Sequence, residues 1–241
     1  MESIIPLEIE PQPDDTTCGP TCLHSVYRAY GDEVELEDVI RGVRQLETGG
    51  TLAVLLGTDA LRRGYRAAIY TYNLDVFDPT WFDLERPELC ARLRERASAR
   101  GEGRLADTAR AYEVFLAAGG EIRFRDLSAG LIREHLHRGH PILTGLSATY
   151  LYRSARESGQ PSRYDDLRGD PQGHFVVLCG YSPRERSVLV ADPLQPNPIA
   201  RGHHYEVRVE RLVCAILLGV LTYDANLLII RPRDGRGSAR S

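Results

Sequence analysis

Residues 174–192 constrain the fold most. Phe175-Val-Val-Leu-Cys-Gly-Tyr181 and Ser187-Val-Leu-Val-Ala191 are two apolar runs separated by Ser182-Pro-Arg-Glu-Arg186. Runs of this length bounded by turn residues read as buried strands. A short polar turn between them implies an antiparallel pair. Such a hairpin brings the start of its first strand beside the end of its second. Centred on residue 183, it sets His174, at the start, against Asp192, at the end. Either residue alone reads as a strand-edge His or an Asp-Pro turn. Together they put an imidazole and a carboxylate at one end of a sheet.

A second feature lies near the N-terminus, in Gln12-Pro-Asp-Asp-Thr-Thr-Cys-Gly-Pro-Thr-Cys22. Asp15, Thr16 and Thr17 offer N-cap chemistry for a helix over about 18–30, with apolar Cys22, Leu23, Val26, Tyr27 and Tyr30 at helical spacing. Pro20 is tolerated in the first turn and Gly31 stops the helix. Cys18 then opens the helix, where open N–H groups and the positive end of the dipole favour a thiolate. The plainer reading of Cys18 is a small buried residue. The chain order Cys, His, carboxylate is the one a thiol hydrolase needs: the imidazole takes the thiol proton and the carboxylate fixes its tautomer. The Cys18 N–H and the Gln12 side-chain amide are candidate donors to an oxyanion.

The remaining pattern is α+β, helices first and strands mainly later. Short helices are expected over about 36–45 and 52–63, on either side of a Gly49-Gly50 break, and a strand over 67–72. The Arg/Glu-rich stretch from about 75 to 119 reads as a helical insert of two helices. Strands follow at 121–124 and 141–146, a helix at 129–137, a polar loop at 153–171, a helix at 209–218 and a strand at 226–230.

The spacing of Gln12, Cys18, His174 and Asp192 resembles the papain-like cysteine peptidases, specifically the bacteriocin-processing (double-glycine leader) peptidase-like family. There a Gln stands six residues before the catalytic Cys, Cys-Gly opens the helix, His begins a His-Phe-Val-Val-Leu-like strand, and Asp ends the next strand before Pro. The resemblance spans roughly residues 9–74 and 121–195. It implies Gln12 as oxyanion residue, Cys18 as nucleophile, His174 as base and Asp192 as its orienter. It further implies a papain-like α+β fold, with the Cys on an N-terminal helical part and the His and Asp on an antiparallel sheet. The expected organisation is one domain over 1–231, with the insert at about 75–119, and a disordered tail over 232–241. The expected activity is hydrolysis of a peptide or amide bond in a peptide or protein substrate through an acyl-enzyme. The same residues would serve a papain-like acyltransferase or transpeptidase, or persist in a non-catalytic peptide-binding module. The insert and the Gly-His-Phe-Val-Val-Leu-Cys-Gly-Tyr run also resemble a group described as guanylyl cyclases. The absence from the sequence of a phosphate-cradling Gly loop and of paired metal carboxylates speaks against that activity.

Other candidates carry less. Cys22, one turn past Cys18, reads as core. Tyr150 and Tyr152 line the cleft or pack in the core. His135, His137 and His140 suit a solvated helix end, and His203-His204 carries no signal. No cofactor or metal is expected. A net charge of −4 over 241 residues points away from nucleic acid. All basic residues are Arg, from which no mechanism follows. Five cysteines without a Cys-x-x-Cys pair suit a reducing cytoplasm better than a disulfide framework. The N-terminus lacks secretory-signal features, and no apolar run approaches the roughly 20 residues that span a bilayer.

Overall fold

The computed structural model describes residues 2–46, 50–159, 163–222 and 224–233. Gly49 and all but the first two residues of the expected tail lie outside them. The chain is α+β, built on one sheet with helices on both faces. Its helices are α1 (Cys18–Ala29), α2 (Leu36–Gly42), α3 (Ala53–Arg62), α4 (Arg86–Arg100), α5 (Arg104–Ala117), α6 (Ala129–His137), α7 (Ala148–Tyr152) and α8 (Val209–Leu218). Its strands are β1 (Ser3–Ile4), β2 (Arg66–Thr71), β3 (Glu121–Arg123), β4 (Ile142–Ser147), β5 (Glu157–Ser158), β6 (Arg163–Tyr164), β7 (Gly173–Ser182), β8 (Ser187–Ala191), β9 (His204–Arg208) and β10 (Asn226–Arg231).

The sheet runs β3-β2-β10-β4-β7-β8-β9, with β1 added alongside β7. Every pair along this order is antiparallel except β2 with β3. β7 is central and apolar on both faces, which explains its unbroken hydrophobic run. Phe175, Val177 and Cys179 join one core with Leu23 and Tyr27 of α1, Leu56 of α3 and Phe115 of α5. Val176 and Leu178 join the other, with Ile132 of α6 and Leu212 and Ile216 of α8.

The β7–β8 hairpin forms as the two apolar runs require, but its register differs from a simple fold about residue 183. Ser182 pairs with Ser187, and Gly180 with Leu189; then a bulge at Cys179 shifts the ladder so that Val177 faces Ala191. Continued by one residue, this register sets Asp192 opposite Val176. His174 is therefore its diagonal neighbour on the same face rather than its direct partner. Without the bulge Asp192 would fall opposite Val177, on the wrong face, because a one-residue slip inverts every side chain.

Two elements near the site went unread in the sequence. β9 has alternating buried Tyr205 and Val207, a legible period of two. α7 is a single turn capped by the Ser147 hydroxyl, which accepts from the Tyr150 N–H at 3.3 Å. The stretch expected as a loop over 153–171 also holds a short β5–β6 pair.

The segment expected as an insert forms α4 and α5, packed on each other. It is no peripheral appendage, since Tyr112 and Phe115 of α5 are fully buried in the first core. Replacing this segment by a linker would strip that core. Phe115→Ala is expected to cost about 3–5 kcal/mol, as for other buried aromatic truncations. Urea unfolding measures this, and a loss below about 1 kcal/mol would show that α5 is dispensable to the core.

Candidate active site

α1 carries Cys18 at its first position. The helix is amphipathic at the expected spacing and closes at Gly31, whose φ is +81°. The Gly31 N–H donates to the Arg28 carbonyl at 2.9 Å and the Asp32 N–H to that of Tyr27 at 3.0 Å. The start of the helix differs from the expected cap. Thr17 stands at the N-cap but turns its hydroxyl back to donate to the Asp14 carbonyl at 3.1 Å, and makes no cap bond. Asp14, not Asp15, organises the turn: its carboxylate accepts from the Thr16 N–H and hydroxyl, both at 2.7 Å. Among the described residues, no partner takes the N–H of Cys18 or Gly19. The helix end that carries the thiol thus keeps open donors and its dipole.

α1 is docked on β7 immediately beside His174. The Cys22 thiol donates to the Phe175 carbonyl at 3.3 Å, and burial pushes its pKa well up. Cys22 is a core residue. Gly19 allows the close approach: a Cβ there would stand 2.5 Å from Thr51 Cγ2 and 3.3 Å from the Phe175 ring. Of the free thiols, Cys22, Cys90 and Cys179 are buried, Cys18 is half-buried and Cys214 is exposed.

His174 is the second residue of β7, paired with Leu146 of β4, and Asp192 follows β8. The ladder continues through Asp192, whose N–H donates to the His203 carbonyl at 2.8 Å. His174 is 8% exposed and Asp192 not at all. The imidazole Nε2 donates to Asp192 Oδ1 at 2.8 Å, which leaves Nδ1 for the thiol. Burial alone would lower the imidazole pKa. The Asp192 charge and hydrogen bond, with a hydrogen bond and charge from Cys18 behind them, outweigh it and hold His174 above its ordinary range. Burial likewise favours a neutral Asp192. The His174 charge and hydrogen bond, the Tyr205 hydroxyl and the Leu194 N–H overcome this and carry the carboxyl below its usual range.

Asp192 Oδ1 also accepts from the Leu194 N–H at 2.9 Å. Oδ2 accepts from the Tyr152 and Tyr205 hydroxyls at 2.8 and 2.5 Å. His203, which carried no sequence signal, donates through Nδ1 to the Asp192 carbonyl at 2.8 Å. The β9 alternation was the available signal for Tyr205. Tyr150 instead lines a cavity of about 540 Å³ between α7 and α8.

Gln12 is tied to the same strand end, its N–H donating to the Pro193 carbonyl at 2.9 Å. Its side-chain Nε2 donates to the Asp14 carbonyl at 2.9 Å, while its buried Oε1 has no partner among the described residues. The three histidines around the end of α6 behave otherwise. His135 contacts the Tyr70 hydroxyl at 3.2 Å, and burial lowers its pKa to about 4; burial also lowers that of His140. His137 is exposed at the end of α6. Among the described residues, no group of three or more His, Cys, Asp or Glu could hold a metal ion, and no helix is long and apolar enough to cross a membrane.

The pair makes stability depend on pH. The lowered Asp192 contributes above the ordinary carboxylate pKa and loses this as pH falls through its folded value. The raised His174 contributes below the ordinary imidazole pKa and loses this as pH rises through its folded value. The stability gap between the parent and Asp192→Asn should therefore be widest between about pH 4 and 6.5. It should narrow toward stronger acid and toward alkali. Thermal melts of both proteins across pH test this; a gap independent of pH would remove the ion pair.

Solved structures similar to the chain include two peptidases. One is titled a putative C39-like peptidase from Bacillus anthracis, with 14% identity over 97% of this chain and 98% of that one and a TM-score of 0.48. The other is a double glycine motif protease from an AMS/PCAT transporter in complex with the leader peptide, with 14% identity over 96% and 95% and a TM-score of 0.46. No curated protein matches the chain. Residues 97–210 match the Peptidase_C39 like family, a stretch that begins inside α4 and contains His174 and Asp192 but neither Cys18 nor Gln12. In that stretch the chain resembles the C39-like peptidases, as the spacing around His174 and Asp192 implies.

Proposed function

We propose that the chain is a thiol-dependent hydrolase of peptide or amide bonds, a single papain-like domain over about residues 1–231 acting on a peptide or protein substrate. One observation carries this reading. A buried His174–Asp192 pair at 2.8 Å lies within electrostatic reach of a half-buried thiol, Cys18, at the uncapped start of α1. The unpaired cysteines suit a reducing compartment such as the cytoplasm.

In this reading the Cys18 proton passes to His174 Nδ1, and the imidazolium is held by Asp192. The thiolate attacks the substrate carbonyl carbon, and the carbonyl π pair moves onto oxygen. The Cys18 N–H and the second Gln12 Nε2 hydrogen meet that oxyanion. Collapse breaks the C–N bond as His174 gives its proton to the leaving amine, and a thioester remains on Cys18. Water then attacks the thioester, with His174 taking its proton. The acid leaves and the thiolate is restored.

Activity against a fluorogenic peptide library tests the reading, with Cys18→Ala as control. His174→Ala should remove nearly all turnover, since no other group there moves the proton. Asp192→Asn should be milder, a loss on the order of 10- to 100-fold. The Leu194 N–H selects which side of the Asn takes the carbonyl oxygen, so that oxygen still faces His174. The two phenol oxygens can turn to accept from the amide N–H₂. Near-normal turnover in His174→Ala would refute the assignment of all three residues.

Gln12→Ala should leave folding intact and lower kcat by about 10²- to 10³-fold, the usual loss for one oxyanion donor. An unchanged kcat on the best substrate would pass the role to another residue.

A further inference from the structure

The two oxygens of the Asp192 carboxylate face different groups. Oδ1 meets His174 and the Leu194 N–H. Oδ2 meets only phenols among the described residues, Tyr152 of α7 and Tyr205 of β9. The reaction written above uses the Oδ1 side alone. Burial and the Asp192 charge push both phenol pKa values far up, so each stays a protonated donor. Tyr152 also lies against the imidazole, with ring centroids 6.1 Å apart.

A carboxylate with no exposure ionises only if its lone pairs are met. Without the phenols, Oδ2 would be a buried, unpartnered charge. Such a group either takes up a proton or turns toward another donor. A neutral or turned carboxyl no longer holds the imidazolium.

We infer that Tyr152 and Tyr205 are positioning residues: acting through Asp192, they keep its carboxylate ionised and Oδ1 aimed at His174, and so set the acid limit of the Cys18–His174 pair. The inference rests on the proposed roles of Cys18, His174 and Asp192. Among the described residues, the groups that face Asp192 are few. They are His174 from β7, Tyr152 from α7, Tyr205 and, on its backbone carbonyl, His203 from the β9 side, and the thiols of α1. Of those thiols, Cys22 senses the Asp192 charge, and Tyr152 in turn senses Cys18.

The test is the pH dependence of Cys18 alkylation by iodoacetamide, located by mass mapping, in a Cys214→Ser background that removes the exposed thiol. Tyr152→Phe and Tyr205→Phe should each raise the midpoint of the acid limb, on the order of one pH unit per hydroxyl lost. In an Asp192→Asn background the same changes should leave the midpoint where Asp192→Asn alone puts it, because the cycle isolates the coupling. A purely structural role would lower the melting temperature in both backgrounds and move no midpoint. Should Tyr205→Phe fail to fold, the half-buried Tyr152→Phe carries the same measurement. Folded variants that keep the parent's acid limb would overturn the inference. Midpoints that move while no peptide is cleaved would support it and refute the peptidase reading alone.

Discussion

A fully buried carboxylate beside an imidazole is the interaction on which the rest of the site depends. Asp192 lies at the end of a short strand with no exposure, and the interior opposes its charge. It stays ionised because four donors converge on it from different parts of the fold: β7, the backbone just past β8, α7 and β9. Each of those elements packs in the second core or beside it. The cost of burying the charge is therefore met by the tertiary structure as a whole, not by the hairpin that carries the residue.

The thiol arrives from the other side. α1 belongs to the first core and reaches the sheet at Phe175, the residue after His174. Two separate hydrophobic cores thus meet at one end of β7, one carrying the Cys18 thiol and the other the His174 imidazole and its carboxylate. β7, apolar on both faces, touches both cores, and its first side chain, that of His174, stands near their boundary. The similarity to the C39-like peptidases covers the half of this arrangement that bears His174 and Asp192.

Much of this was legible in residue types and spacing. The helix over α1, the paired runs of β7 and β8 and the proximity of His174 to Asp192 all follow from local patterns. What was not legible is of two kinds. Long-range polar partners leave no local trace: nothing around Tyr152 marks its hydroxyl for a carboxylate forty residues on. Turn chemistry is degenerate, so that Asp14 organises the lead-in where Asp15, Thr16 and Thr17 looked equally able to cap. The central role of α5 was hidden in the same way. The Arg- and Glu-rich α4 dominates the composition of the segment, while Tyr112 and Phe115 of α5 do the packing.

The bulge at Cys179 bears on how the His-to-Asp interval should be counted in other chains. What the geometry preserves is parity rather than length. The turn between β7 and β8 can grow or shrink freely if the strands keep their pairing. An odd change within either strand sends the carboxylate to the opposite side of the sheet. A chain that holds the same hairpin without the extra residue has to carry its acid one position earlier or later to meet the same imidazole. An alignment that forces the two acids into one column would then misplace the gap, and a fixed-interval search would pass over a chain whose site is intact.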